Sequence, residues 1–114
     1  MSEKDKNGKI YTIRYKNDDS HIYVGSTTQQ LFKRWHQHKQ NLNKDICNTI
    51  LLYQKLRETN IEDWYIELYE DCSCENKEQL NGREGEIIRE IGTLNKVIAG
   101  RTKQEYYYYN KMKY

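Results

Sequence analysis

No stretch of this chain is apolar for long enough to cross a membrane, and no signal-peptide pattern stands ahead of the first candidate strand. A membrane-spanning or secreted protein is therefore not expected, and an intracellular one is. Cysteine is scarce, with three residues at Cys47, Cys72 and Cys74. An odd number gives no support to a disulfide framework, and the C-x-C spacing of the last two is not the C-x-x-C of a zinc site. Reduced thiols are the plainer reading. Proline is absent, and the net charge is only +2, a balance that by itself suits a nucleic-acid partner poorly.

What is present is tyrosine, 11 of the 114 residues, and an uneven distribution of charge. Residues 1–44 carry nine Lys and Arg against four Asp and Glu, whereas the remainder carry ten against thirteen. Lys33, Arg34, Lys39 and Lys44 form the basic cluster, and such a patch attracts phosphates even when the total charge is near zero. On charge alone, an ordinary solvated helix face explains it equally well. The length bounds the chain to one domain with a modest core.

Residues 9–39 organise the rest. Ile10, Tyr11, Ile13 and Tyr15 are β-branched or aromatic and read as a strand. Asn17-Asp18-Asp19-Ser20 supplies turn chemistry, and His21 to Gly25 returns as the second arm of a hairpin. If Ile13 pairs with Tyr23, Tyr11, Ile13 and Tyr23 share one face of the sheet. Gly25, without a Cβ, leaves room for another group to approach the backbone. Ser26, Thr27 and Thr28 are candidate N-caps for a helix with Leu31, Trp35, His38 and Leu42 along one stripe and Arg34 beside it. Taken singly, each tyrosine fits a small core, His38 fits a satisfied core histidine, and Arg34 fits a solvated surface residue.

Further along, Asp45 to Asn60 reads as a second helix burying Ile46, Ile50, Leu52, Tyr53 and Leu56. Ile61-Glu62-Asp63 connects it to a strand in which Trp64, Ile66 and Leu68 alternate with polar neighbours and face a core. After a polar break, Asn76 to Ile91 forms a helix with Leu80, Ile87, Ile88 and Ile91 on its apolar side. Glu84 falls within that stripe. A carboxylate there is costly unless it reaches water, pairs with a cation such as Arg34, or binds a metal. Asn95 follows the helix in a loop, where an asparagine commonly bonds its own backbone.

Lys9-Ile10-Tyr11 and Tyr23-Val24-Gly25, in this order and followed by Arg34, His38, Glu84 and Asn95, resemble the GIY-YIG nuclease family, with Lys9 in place of the usual first glycine. Cys47 departs from relatives that carry a further histidine there. The resemblance implies an α+β fold, a three-stranded antiparallel sheet flanked by helices, spanning residues 1–100. Residues 101–114 then form a tyrosine- and lysine-rich tail. It also implies an endonuclease that hydrolyses DNA phosphodiesters, one strand per active site. Tyr11 would be the base for the attacking water, with Tyr23 beside it and His38 as the second choice. Arg34 would hold the phosphate, Glu84 would hold one divalent ion (Mg²⁺ or Mn²⁺), and Asn95 would brace the site. Glu86 is the reserve for Glu84. DNA would be met by Lys33, Arg34, Lys39 and Lys44, with no small-molecule cofactor and no membrane. The rival reading is a nucleic-acid-binding module that kept the fold and lost cleavage.

Overall fold

The computed structural model describes residues 7–43 and 50–96. Strands β1 (Lys9–Tyr15), β2 (Asp18–Thr27) and β3 (Trp64–Asp71) form one antiparallel sheet in the order β2-β1-β3. Helices α1 (Leu31–Asn41) and α2 (Leu51–Glu58) lie between β2 and β3 in sequence, and α3 (Lys77–Ile91) follows β3. A 3₁₀ turn at Ile61–Asp63 enters β3. This is the three-stranded, helix-flanked sheet expected from the sequence.

β1 lies between the other two strands, and Ile10, Tyr11, Thr12 and Ile13 are all fully buried. Alternation sends them to two faces. Tyr11 and Ile13 pack with Leu52, Tyr53 and Leu56 of α2 and with Trp64 and Leu94. Ile10 packs on the other side with Val24 and with Leu80 and Ile87 of α3. Each such side chain contributes roughly 1.5–3 kcal/mol of apolar burial. Ile13 pairs with Tyr23, so the expected register is the one formed, and Tyr11 pairs with Gly25.

Four expectations change. The hairpin turn is shorter than Asn17–Ser20, because β2 already begins at Asp18. The turn chemistry survives inside a bulge: Asp18 Oδ1 accepts from Ser20 N at 2.9 Å and Ser20 Oγ at 2.6 Å, and the pairing skips from Arg14↔Ile22 to Tyr15↔Asp18. Ser26 and Thr27 are strand residues rather than caps, and α1 starts after Gln30 with no side-chain cap bond. The second helix begins at Leu51, not Asp45; Ile50 precedes it in extended conformation, and residues 44–49, with Ile46 and Cys47, lie outside the described residues. Leu68 is 44% exposed rather than buried. It still pairs with Tyr11 on the face of Trp64 and Ile66, but β3 is an edge strand and this end of it is left uncovered.

The C-terminal end of α3 is followed by a segment that lines the outer edge of β2. Thr93 N and Leu94 N donate to Ile22 O at 2.8 and 3.0 Å, and Ile22 N donates to Thr93 Oγ1 at 2.8 Å. Leu51 N donates to Lys96 O at 3.0 Å, tying this segment to the start of α2. The proposed boundary at residue 100 and the tail at 101–114 lie outside the described residues.

Candidate active site

A cleft of about 550 Å³ opens where β2, α1, α2 and α3 meet, and Tyr11, Tyr23, Arg34, His38, Glu84 and Asn95 all line it. Five of these side chains are collected by three devices, and the sixth, Asn95, by the segment after α3. β1 and β2 place Tyr11 and Tyr23 on one face. The α1 stripe, one turn apart at Arg34 and His38, covers that face. α3 lies against the opposite face, and its Glu84 reaches the cleft beside Ser26, whose Oγ donates to Glu84 Oε2 at 2.7 Å. Gly25 permits the arrangement, since a Cβ there would collide with the ring and hydroxyl of Tyr11.

The hydrogen bonds converge on Tyr11. Its phenol oxygen accepts from Arg34 Nε at 3.1 Å and lies 2.7 Å from His38 Nε2. Arg34 Nη1 donates to Gln37 Oε1 at 3.0 Å, which fixes the guanidinium plane. His38 is 1% exposed, and its Nδ1 lies 2.7 Å from the Tyr53 hydroxyl. The Tyr11 and Tyr23 rings both meet the imidazole edge-on, at centroid distances of 5.9 and 5.6 Å.

Burial sets the protonation states. Desolvation drives the Tyr11 phenol well above its ordinary value, and the Arg34 charge only partly opposes it. Tyr23 is raised for the same first reason, reinforced by Tyr11, Tyr53 and Glu84. Desolvation and the neighbouring Arg34 lower His38 to about 3, so its imidazole is neutral at pH 7. The site therefore holds neutral phenols and a neutral imidazole beside a permanent cation.

Asn95 acts on the backbone of β2. Its Nδ2 donates to Val24 O at 2.7 Å and its Oδ1 accepts from Val24 N at 2.9 Å, which imitates one rung of a strand pair. A loop asparagine bonding its own backbone is therefore not what is found. Glu86, the reserve for Glu84, does not line the cleft: it is exposed and accepts from Arg83 Nη1 at 2.8 Å. Arg83 also grips both carboxylate oxygens of Glu70 at 2.7 Å, tying α3 to β3.

The basic cluster is only partly drawn in. Arg34 lines the cleft, but Lys33 is exposed on α1, and Lys39 places its ammonium 5.5 Å from the centre of the Trp35 ring. Lys44 lies outside the described residues. Lys77 and Asn81 of α3 line the cleft instead, spaced so that they share the Glu84 face. Sequence reasoning missed these two, as it missed Ser26, Asn41 and the hydroxyl of Tyr53. The i, i+4, i+7 spacing of Lys77, Asn81 and Glu84 was the available signal.

Among the described residues no group of three His, Cys, Asp or Glu side chains comes together. A single carboxylate in an open polar cleft nevertheless suits a hard ion that keeps several of its own waters, as Mg²⁺ does. Cys72 and Cys74 are free thiols in contact with each other, and neither lines the cleft.

Comparison with known proteins shows what the chain as a whole is similar to. The family profile described as the GIY-YIG catalytic domain matches residues 7–98. An MSV199 domain-containing protein, 146R, of Invertebrate iridescent virus 6 is 30% identical over 99 residues; the match covers 86% of this chain and 38% of that protein. The chain thus spans well under half of that relative's length. Among solved structures, the catalytic domain of the homing endonuclease I-TevI superposes with a TM-score of 0.62 at 23% identity, covering 82% of this chain and 99% of that domain. A mutant of the same catalytic domain gives a TM-score of 0.62 at 24% identity, covering 83% and 96%. At this identity the solved structures speak to the fold.

Proposed function

The chain belongs to the GIY-YIG family and carries that family's endonuclease domain; from this premise we propose that it hydrolyses DNA phosphodiester bonds with one divalent ion, cutting one strand per site. The observation that carries the reading is the meeting of a hydrogen-bonded phenol, a guanidinium and a carboxylate in one cleft.

Glu84 would hold Mg²⁺ or Mn²⁺, with the Ser26 hydroxyl orienting the carboxylate. When bound, the ion supplies positive charge next to the phosphate and the departing 3′ oxygen. Arg34 has Nε and Nη1 committed to Tyr11 and Gln37. Its remaining N–H groups would donate to phosphate oxygens, where a planar guanidinium matches charge building up in the transition state. Lys77 and Asn81 would meet the DNA backbone on the α3 side. Lys33 and Lys39 would add only attraction from outside the cleft.

Tyr11 would take the proton of the attacking water. A phenolate prepared in advance is disfavoured, because burial raises this phenol further from neutrality. A relay avoids it. The Tyr11 oxygen has two lone pairs, one engaged by Arg34, and its own proton can point at His38 Nε2. The second lone pair accepts the water proton as the phenol proton passes to the imidazole. The hydroxide adds to phosphorus, and the 3′ oxygen departs and is protonated from solvent. Tyr11 is then the direct base and His38 the acceptor behind it.

The test is incubation with supercoiled DNA in Mg²⁺ or Mn²⁺ and in chelator, followed by end analysis in ¹⁸O-labelled water. Nicked circles that need the metal, with ¹⁸O on a 5′-phosphate, are expected. Binding without nicking in any divalent ion would replace this reading with the binding module.

A further inference from the structure

The far side of the His38 ring is held by two residues that the relay does not use. Nδ1 lies 2.7 Å from the Tyr53 oxygen, and Asn41 Nδ2 donates to that same oxygen at 3.1 Å. Tyr53 is 3% exposed and His38 1% exposed, so bulk water does not compete for these bonds. Tyr53 sits in the first turn of α2 and Asn41 ends α1. The contact therefore joins two helices around one imidazole.

A neutral imidazole has one N–H and one lone pair, so two proton arrangements satisfy these distances. In the first, Tyr53 donates to Nδ1 and Nε2–H donates to Tyr11. The Tyr11 oxygen then accepts from both Arg34 and His38, both lone pairs are occupied, and it has none for an incoming proton. In the second, Nδ1–H donates to Tyr53, whose oxygen accepts from His38 and Asn41 together while its own proton turns to the cleft that Tyr53 lines. The Nε2 lone pair then faces the Tyr11 hydroxyl, and one Tyr11 lone pair is left for water.

We propose that Tyr53, seated by Asn41, is a positioning residue that holds His38 as its Nδ1–H tautomer, with the Nε2 lone pair turned to the Tyr11 hydroxyl. This rests on the nuclease reading above and extends it to a residue behind the histidine, one step removed from Tyr11 and the attacking water. As the proton arrives at Nε2, the imidazole gains charge, and the Tyr53 oxygen bonded to Nδ1–H stabilises it. The role is that of an orienting acceptor behind a histidine, filled by a neutral phenol in place of a carboxylate.

The test uses the full chain labelled with ¹⁵N, reading the His38 tautomer from long-range ¹H–¹⁵N correlations in wild type and Tyr53→Phe. Single-turnover nicking and DNA affinity are measured on the same samples. Wild type should carry the Nδ1 proton. Tyr53→Phe should shift His38 toward the Nε2–H form and slow nicking about 10- to 100-fold with DNA affinity unchanged. Asn41→Ala should move both readouts the same way by less, and it carries the test if Tyr53→Phe does not fold. An Nε2–H tautomer in wild type overturns the proposal, as does a variant with unchanged tautomer and rate or a loss confined to DNA affinity. If wild type does not nick at all, the nuclease reading fails while the spectrum still decides the tautomer.

Discussion

The ring of Tyr11 lies against the bare Cα of Gly25, its partner across the β1–β2 pair, in space that any other residue would fill with a Cβ. Tyr11 is fully buried, between Arg34 and His38, so the ring cannot swing aside cheaply. Gly25→Ala should therefore destabilise the fold by roughly 1–3 kcal/mol, the usual cost of overpacking, and displace the phenol. Urea unfolding and nicking by the folded fraction check this; a variant with wild-type stability and rate would show that the contact is not needed.

Tyr11→Phe isolates the hydroxyl. It preserves the ring against Gly25 but leaves Arg34 Nε and His38 Nε2 without the oxygen they share. Nicking should fall by about 10²–10⁴, the range of a general base, with DNA affinity retained. A single-turnover rate within a few-fold of wild type would move the base elsewhere.

His38 gives a pH signature in stability. Its folded value, about 3, lies below the ordinary 6.5, so the unfolded chain binds a proton that the folded one refuses. Folding stability should fall as pH drops from about 6.5 toward 3, by a few kcal/mol over the window. His38→Gln should flatten that dependence. Urea midpoints measured across this range decide it, and parallel curves for the two proteins would contradict the buried neutral imidazole.

Asn95 is expected to matter through β2. Asn95→Ala removes the donor and the acceptor that pair with Val24, which should cost about 1–3 kcal/mol. Amide exchange at Val24 should rise markedly more than at Ile13, on the other strand of the pair. Uniform exchange across the sheet would argue against a local clamp.

Much of this was legible in the sequence because it depends on alternation and helical spacing. The shared face of Tyr11 and Ile13 and the α1 stripe that carries His38 follow from periods of 2 and 3.6. The Ile13–Tyr23 register, by contrast, was one option among slips, and Glu84 was singled out by the family resemblance. What escaped depends on irregularity or on tertiary contact. Leu68 keeps its place opposite Tyr11 but is exposed on an edge strand whose far end is left uncovered, and the caps read at Ser26 and Thr27 were strand because tertiary pairing carried β2 past Gly25. Tyr53 read as one more core aromatic, since nothing local shows that its hydroxyl ends on the His38 ring. Ser26 reaches Glu84 across 58 positions, a partnership that no local pattern encodes.

The most direct measurement is nicking of supercoiled DNA in Mg²⁺ by wild type and Glu84→Ala side by side, both confirmed folded by circular dichroism. Glu84 is half-buried with Ser26 as a partner, so the variant should fold, and its nicking should drop by about 10²–10³ or more while it still binds DNA. Equal nicking by the two proteins would contradict a hydrolytic centre built on this carboxylate.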